Sequence, residues 1–193
     1  MKTFNVMLIM YLMLLCGCNT TDKANTAAMS FGIYETVRSD EMPSAIMDTL
    51  KTMNIHFEEN ATYSIIGYIT KEELSVLQMD FSGENIQLVR SMYPVDNERQ
   101  YYSLAAIKGK PAVVNADLKK TKNKGTSVEL YFNLEGAQKW ADFTKKNVGK
   151  VIVFVLDNQI CTMTSVGAEI RDGVARIDRL EDESFAKKVA ESL

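Results

Sequence analysis

The sequence predicts an α+β fold, a mixed β-sheet with helices packed on it, and three observations predict it. Strand-like runs alternate with stretches of helical periodicity from Phe31 onward. One run, Val151 to Leu156, is apolar at every position, as in a central strand covered on both faces. Roughly 160 residues lie beyond residue 30, enough for one ordinary core or two small joined ones.

Met1 to Gly17 reads as a signal peptide. Lys2 supplies the positive start, and Phe4 to Leu15 is almost wholly apolar. That run is well short of the ~20 residues that cross a bilayer. Leu15-Cys16-Gly17-Cys18 resembles the lipobox of bacterial lipoproteins. Cys18 follows the small Gly17 and is the expected lipidated residue; Cys16 is not, because Leu15 would then have to be the small one. The abrupt change to Asn19, Thr20, Thr21 and Asp22 argues against an uncleaved anchor helix. Acyl chains on Cys18, palmitate among them, would hold the protein at a membrane, since each buried methylene adds about 0.8 kcal/mol. Residues 18–30 are small and polar and read as a flexible tether. Asn19, rather than an aspartate, after the cysteine favours the outer membrane within the cell envelope, with the domain facing periplasm or exterior.

Net charge is −3, and −4 once Lys2 leaves with the signal, which disfavours nucleic acid as a partner. Of three cysteines only Cys161 remains free, so no intramolecular disulfide forms and packing must hold the core.

Residues 31–100 read as an N-terminal α+β region. Phe31 to Val37 and Tyr63 to Thr70 are strands. Between them Ile46, Met47 and Leu50 have helical spacing after Pro43, which completes a β-α-β unit. Thr70 and Glu73 form a capping-box pattern for a short helix through Leu77. Ile86 to Tyr93 and Gln100 to Ile107 are further strands. Lys108, Lys110, Lys119, Lys120, Lys122 and Lys124 make a basic run, read as a solvated loop, that could otherwise face anionic head groups.

Residues 101–193 carry the most informative stretch. Val128 to Phe132 alternates as a strand. Asn133 can cap the next helix, and Ala137, Trp140, Ala141 and Thr144 share one face of it, with Phe143 at its border. Lys145 and Lys146 sit in its last turn and Gly149 ends it. Asp157-Asn158 separates two strand-like runs by two residues that tolerate positive φ, which predicts a hairpin with Gln159 to Thr164 as the return strand. Val174 to Ile177 is a short strand after Asp172-Gly173. Glu181, Asp182 and Glu183 open a last helix that packs through Phe185, Val189 and Leu193.

This stretch resembles the head subdomain of the first periplasmic domain of SecD. The residues that carry the resemblance are Phe132-Asn133, Glu135-Gly136-Ala137, Thr144, Asn147, Gly149-Lys150, Leu156-Asp157, Ile170, Gly173, Ala175 and Ile177, with Val113 to Lys120 as lead-in. Thr162-Met163-Thr164 stands where the family often has Ser-Ala-Pro, and the loop 165–172 lacks the family's prolines. The resemblance implies a head-like fold and a role in handling polypeptide during export. The chain shows no run that spans a membrane, so it is not expected to be the proton-driven motor itself.

Candidate chemistry is sparse. His56 with Glu58 and Glu59 lacks the other donors that zinc needs, and reads as a loop histidine. Cys161 could pair with His56 but reads as a small core residue, and Trp140 as core. No nucleophile motif, phosphate loop or metal motif occurs. The chain is expected to be no enzyme, with no cofactor and no metal. Its expected partners are the membrane through the anchor, and polypeptide or export-channel components. The alternative is an accessory lipoprotein that docks on another envelope protein. The expected polypeptide-binding edge is Ile160 to Thr164, through Ile160, Thr162 and Thr164. Val166 and Ile170 are expected on an exposed, mobile loop beside it.

Overall fold

The computed structural model describes residues 28–53, 55–58 and 64–193. The signal peptide, Cys18 and most of the tether lie outside the described residues.

Among the described residues the strands form two sheets. The larger runs in the order β2 (His56–Phe57), β3 (Ile65–Ile69), β5 (Tyr102–Lys108), β4 (Ile86–Ser91), β10 (Gln159–Ser165), β9 (Val151–Leu156), β1 (Phe31–Val37), β6 (Val113–Val114). At its upper end β1 also pairs antiparallel with β5, through Thr36↔Ile107 and Val37↔Ala106. The strands β1, β5, β4, β10 and β9 therefore close into a barrel. Side chains alternate across a strand, so every second residue points inward. Val89, Ala105, Ile107, Val153, Val155 and Ile160 fill the interior, with Tyr34 and Met163 partly buried among them. Burial raises the Tyr34 hydroxyl above its ordinary range.

The outward residues pack two further layers. On one flank α1 (Ser44–Lys51) buries Ile46 and Leu50 against Leu88, Leu104 and Ala106. A 3-10 segment, Lys71–Gln78, adds Val76 there. Its start is the expected capping box, with the Thr70 N–H donating to the Glu73 carboxylate at 2.7 Å, though the segment winds more tightly than an α-helix. On the other flank lies the second sheet, in the order β11 (Val174–Ile177), β8 (Ser127–Phe132), β7 (Leu118–Lys124). With α2 (Leu134–Lys146) and α3 (Glu183–Ser192) it encloses Phe31, Ile33, Trp140, Ile152, Phe154 and Leu156. Strands from both sides of residue 100 thus share one sheet: β4 pairs β5 from Ile86↔Lys108 to Arg90↔Leu104.

Local chemistry explains the ends of these elements. The Gly136 N–H donates to the Asn133 side chain at 2.8 Å, which caps α2. A Cβ on Gly136 would lie 2.4 Å from the Asp117 carbonyl oxygen, so only glycine lets α2 seat on the 115–117 turn. Asp157 and Asn158 have φ of +45° and +63°, the geometry of a two-residue hairpin turn. Asp182 caps α3 by accepting from the Phe185 N–H at 2.7 Å.

Three expectations need correction. Residues 118–124 form β7 rather than a loop, because Leu118, Thr121 and Asn123 alternate with the lysines and pair with β8. His56 lies in the two-residue β2, paired with Tyr68, and not in a loop. The tether stops short of residue 30. The Met29 N–H donates to the Ser192 carbonyl at 3.3 Å, and the Ser30 N–H donates to the Asp157 carboxylate at 2.8 Å.

Candidate functional site

β10 begins between two strands and ends beside one. Only Gln159 and Ile160 pair with β4, in parallel, while the antiparallel pairing to β9 continues to Ser165. β4 ends at Ser91, and the chain leaves after the Met92 N–H donates to the Ile160 carbonyl at 2.8 Å. A bulge at Cys161 then shifts the register of β10. From Thr162 to Ser165 its outer side has no strand partner among the described residues. β11 likewise pairs β8 on one side only.

β10 and β11 approach each other where the Asp178 N–H, one residue past the end of β11, donates to Thr162 Oγ1 at 3.4 Å. Beyond that contact both strands line a cleft of about 330 Å³, with Thr164 and Ser165 on the β10 side and Val174 to Arg176 on the β11 side. Trp140, Ile152 and Phe154 are also in its lining. Trp140 is 2% exposed and held by the rings of Phe132, Phe143 and Phe154, with centroids 5.8, 6.3 and 6.1 Å away. It is core, as expected, and it also lines the cleft. Its indole N–H is buried with no acceptor among the described residues. Buried donors are nearly always satisfied.

The structure places the residues of the expected site in different settings. Thr162 and Thr164 stand on the unpaired stretch. Ile160 does not: it pairs with Ser91 and fills the barrel. Val166 is 4% exposed and belongs to the core, contrary to the exposed loop expected. Its N–H donates to the Lys150 carbonyl at 2.9 Å and its carbonyl accepts from the Gly149 N–H at 2.8 Å. Ile170 is half-buried, and its N–H donates to Thr144 Oγ1 at 2.9 Å. Backbone pairing to the 148–150 turn and a hydrogen bond to α2 therefore seat the apolar residues of this loop. Ser165, Gly167, Ala168, Arg171 and Asp172 remain exposed. The missed residues are those of the floor, Trp140, Ile152 and Phe154. Their apolar character was legible, but their place under an open edge was not.

Nucleophile chemistry finds little support. Burial pushes the Cys161 thiol up to about 12, and the thiol donates to the Phe154 carbonyl at 3.3 Å. His56 stacks edge-on against Tyr101 at 5.2 Å, with β3, β5 and β4 lying between its strand and β10. Among the described residues no group of three or more His, Cys, Asp or Glu is placed to hold a metal, and no helix is long and apolar enough to cross a membrane.

Residues 88–193 match the family of the SecDF P1 head subdomain. The chain belongs to that family. The protein translocase subunit SecD of Acidaminococcus fermentans is 34% identical over 89 residues, which is 44% of this chain. The match covers 21% of that relative, so the chain corresponds to about a fifth of its length. Two solved structures of SecDF align with 86% of this chain. One, described as a membrane component that enhances protein export, is aligned over 61% of its own chain at a TM-score of 0.48 and 19% identity. The other, in a super-membrane-facing form, is aligned over 18% of its own chain at a TM-score of 0.44 and 22% identity. In this member of the head family the motif residues have visible work. Gly136 admits the Asp117 carbonyl, Thr144 holds the 165–173 loop, and the Asn147 side-chain amide closes α2 by donating to the Phe143 carbonyl at 2.9 Å.

Proposed function

We propose that this chain is a non-enzymatic envelope lipoprotein, anchored through Cys18, whose head domain binds extended polypeptide and assists protein export. The single observation that carries the binding reading is the unpaired, uncharged stretch of β10, Thr162 to Ser165, beside an apolar cleft. An extended segment added there gains main-chain hydrogen bonds from the strand edge. Its alternate side chains enter the cleft over Trp140, Ile152 and Phe154, which is the physics of strand addition. Membership of the head family supports the link to export, since the matched relative is a protein translocase subunit.

The test is capture of a reduced, carboxymethylated polypeptide by the full chain, followed by fluorescence anisotropy. Thr164→Lys puts a charge on the exposed edge and should weaken capture about tenfold while unfolding at the same denaturant concentration. Absence of capture by the wild-type chain would overturn the reading. The anchor is checked separately: Cys18→Ser should abolish fatty-acid labelling, and label retained in that variant would refute lipidation there.

A further inference from the structure

Three lysines from separate parts of the chain converge on one carboxylate. Lys108 at the end of β5 lies 2.8 Å from Glu35, Lys150 before β9 lies 3.2 Å away, and Lys146 in the last turn of α2 lies 3.6 Å away. The Glu35 side chain is 10% exposed, whereas the lysine side chains are 48%, 52% and 71% exposed. Burial alone would raise the Glu35 carboxyl, but the hydrogen bonds from Lys108 and Lys150 outweigh it and hold the group below its ordinary range.

One ammonium group balances one carboxylate. Here three are gathered, and among the described residues Glu35 is the only ion-pair partner of all three. The cluster therefore carries an excess of two positive charges in a fixed place. Like charges held this close repel, and the repulsion is relieved by an anion that bridges the ammonium groups. Lysines of this kind serve as point charges for phosphate. The carboxylate beneath holds the lysines in place, while their solvent-facing sides stay open.

We infer that Lys108, Lys146 and Lys150, gathered on Glu35, form a binding site for a phosphate group, separate from the β10 cleft. A phosphate group has oxygens enough to reach more than one ammonium group at once. Free phosphate as the dianion matches the excess, and the phosphodiester of a phospholipid head group, a monoanion, offsets half of it; both present phosphate oxygens to the ammonium groups.

The experiment uses the full chain and two probes. Inorganic phosphate is titrated while the lysine ammonium signals are followed by NMR, and sedimentation is measured with phosphatidylglycerol vesicles against phosphatidylcholine vesicles. Lys146→Met combined with Lys150→Met leaves Lys108 to pair with Glu35 and preserves the fold. This variant should bind phosphate at least about tenfold more weakly, because each lost charge-assisted hydrogen bond is a large share of such affinity. Lys119→Met with Lys124→Met, on exposed lysines of β7, should leave binding unchanged. Lys146→Arg should retain it. The proposed Cys18 anchor enters both kinds of vesicle alike, so the excess of capture by phosphatidylglycerol over phosphatidylcholine vesicles is what is read. An excess that is lost in the Lys146/Lys150 variant assigns the phosphate to lipid, and binding of inorganic phosphate with no such excess assigns it to a soluble group. Equal binding by wild type and the Lys146/Lys150 variant, or an equal loss in the Lys119/Lys124 variant, would overturn the site.

Discussion

Among the described residues β7 pairs on one side only, and β10 does so from Thr162 onward; the two differ in what guards the open side. β7 carries Lys119, Lys120, Lys122 and Lys124 along its length, all exposed. Lys120 and Lys122 lean over the Tyr131 ring at 4.7 and 5.2 Å. A strand added to that side would crowd charged side chains, which is how natural sheets discourage unwanted pairing. β10 offers Thr162, Met163, Thr164 and Ser165 instead, with no charge, and an apolar cleft beside them. The contrast teaches that pairing edges are closed in more than one way, by barrel pairing and by lysine, and that the 162–165 stretch of β10 has neither among the described residues.

The comparison depends first on α2, which supplies Trp140 to the cleft. Gly136→Ala drives a Cβ into a backbone carbonyl that cannot give way. It should cost roughly 2–3 kcal/mol in urea unfolding and abolish capture at β10, while β7 stays unreactive. A variant of full stability would show that α2 can reseat and that the glycine is not what positions the cleft.

Val166→Ser asks whether the loop beside β10 is part of the edge or part of the core. It removes buried methyl groups and adds a hydroxyl with no partner, so about 2 kcal/mol should be lost. Full stability with weakened capture would instead return Val166 to the binding surface.

Glu35 lies across from Ile152 on β9, and so links the barrel to the cleft. Glu35→Gln should cost about 1 kcal/mol at neutral pH, discounted for the exposure of its lysines. The folded-state carboxyl titrates below its unfolded value. Its contribution is therefore present above the ordinary carboxylate range and lost as pH falls through the folded value. Denaturation followed against pH should show a shallower acid limb in the variant. An unchanged acid limb would mean that Glu35 holds neither the barrel nor the cleft.

The smallest effect on stability is expected on the guarded edge. Lys120→Thr with Lys122→Thr should change unfolding by less than about 0.5 kcal/mol. If charge is the guard, the double variant should self-associate or capture unfolded chain, which sedimentation would detect. No gain in association would show that β7 is protected by shape rather than by charge.

Local sequence was enough for β8, α2, β9 and the hairpin, because each is encoded by neighbours. Alternation from Val128, the Asn133 cap, an apolar run of strand length and Asp157-Asn158 all act within a few residues. The same local signals identified Trp140 as core and Thr162 and Thr164 as edge positions. They misplaced Ile160 and Val166, because an apolar residue next to a loop reads the same whether it faces solvent or a partner distant in sequence. Only the tertiary structure decided that β1 returns to β5 and closes the barrel. It alone ended β4 early enough to uncover β10, and it alone brought Lys108, Lys146 and Lys150 to Glu35. These outcomes rest on contacts between residues tens to more than a hundred positions apart. Periodicity reports that a side chain is buried, but the partner that buries it is selected by chain closure and packing across the whole domain.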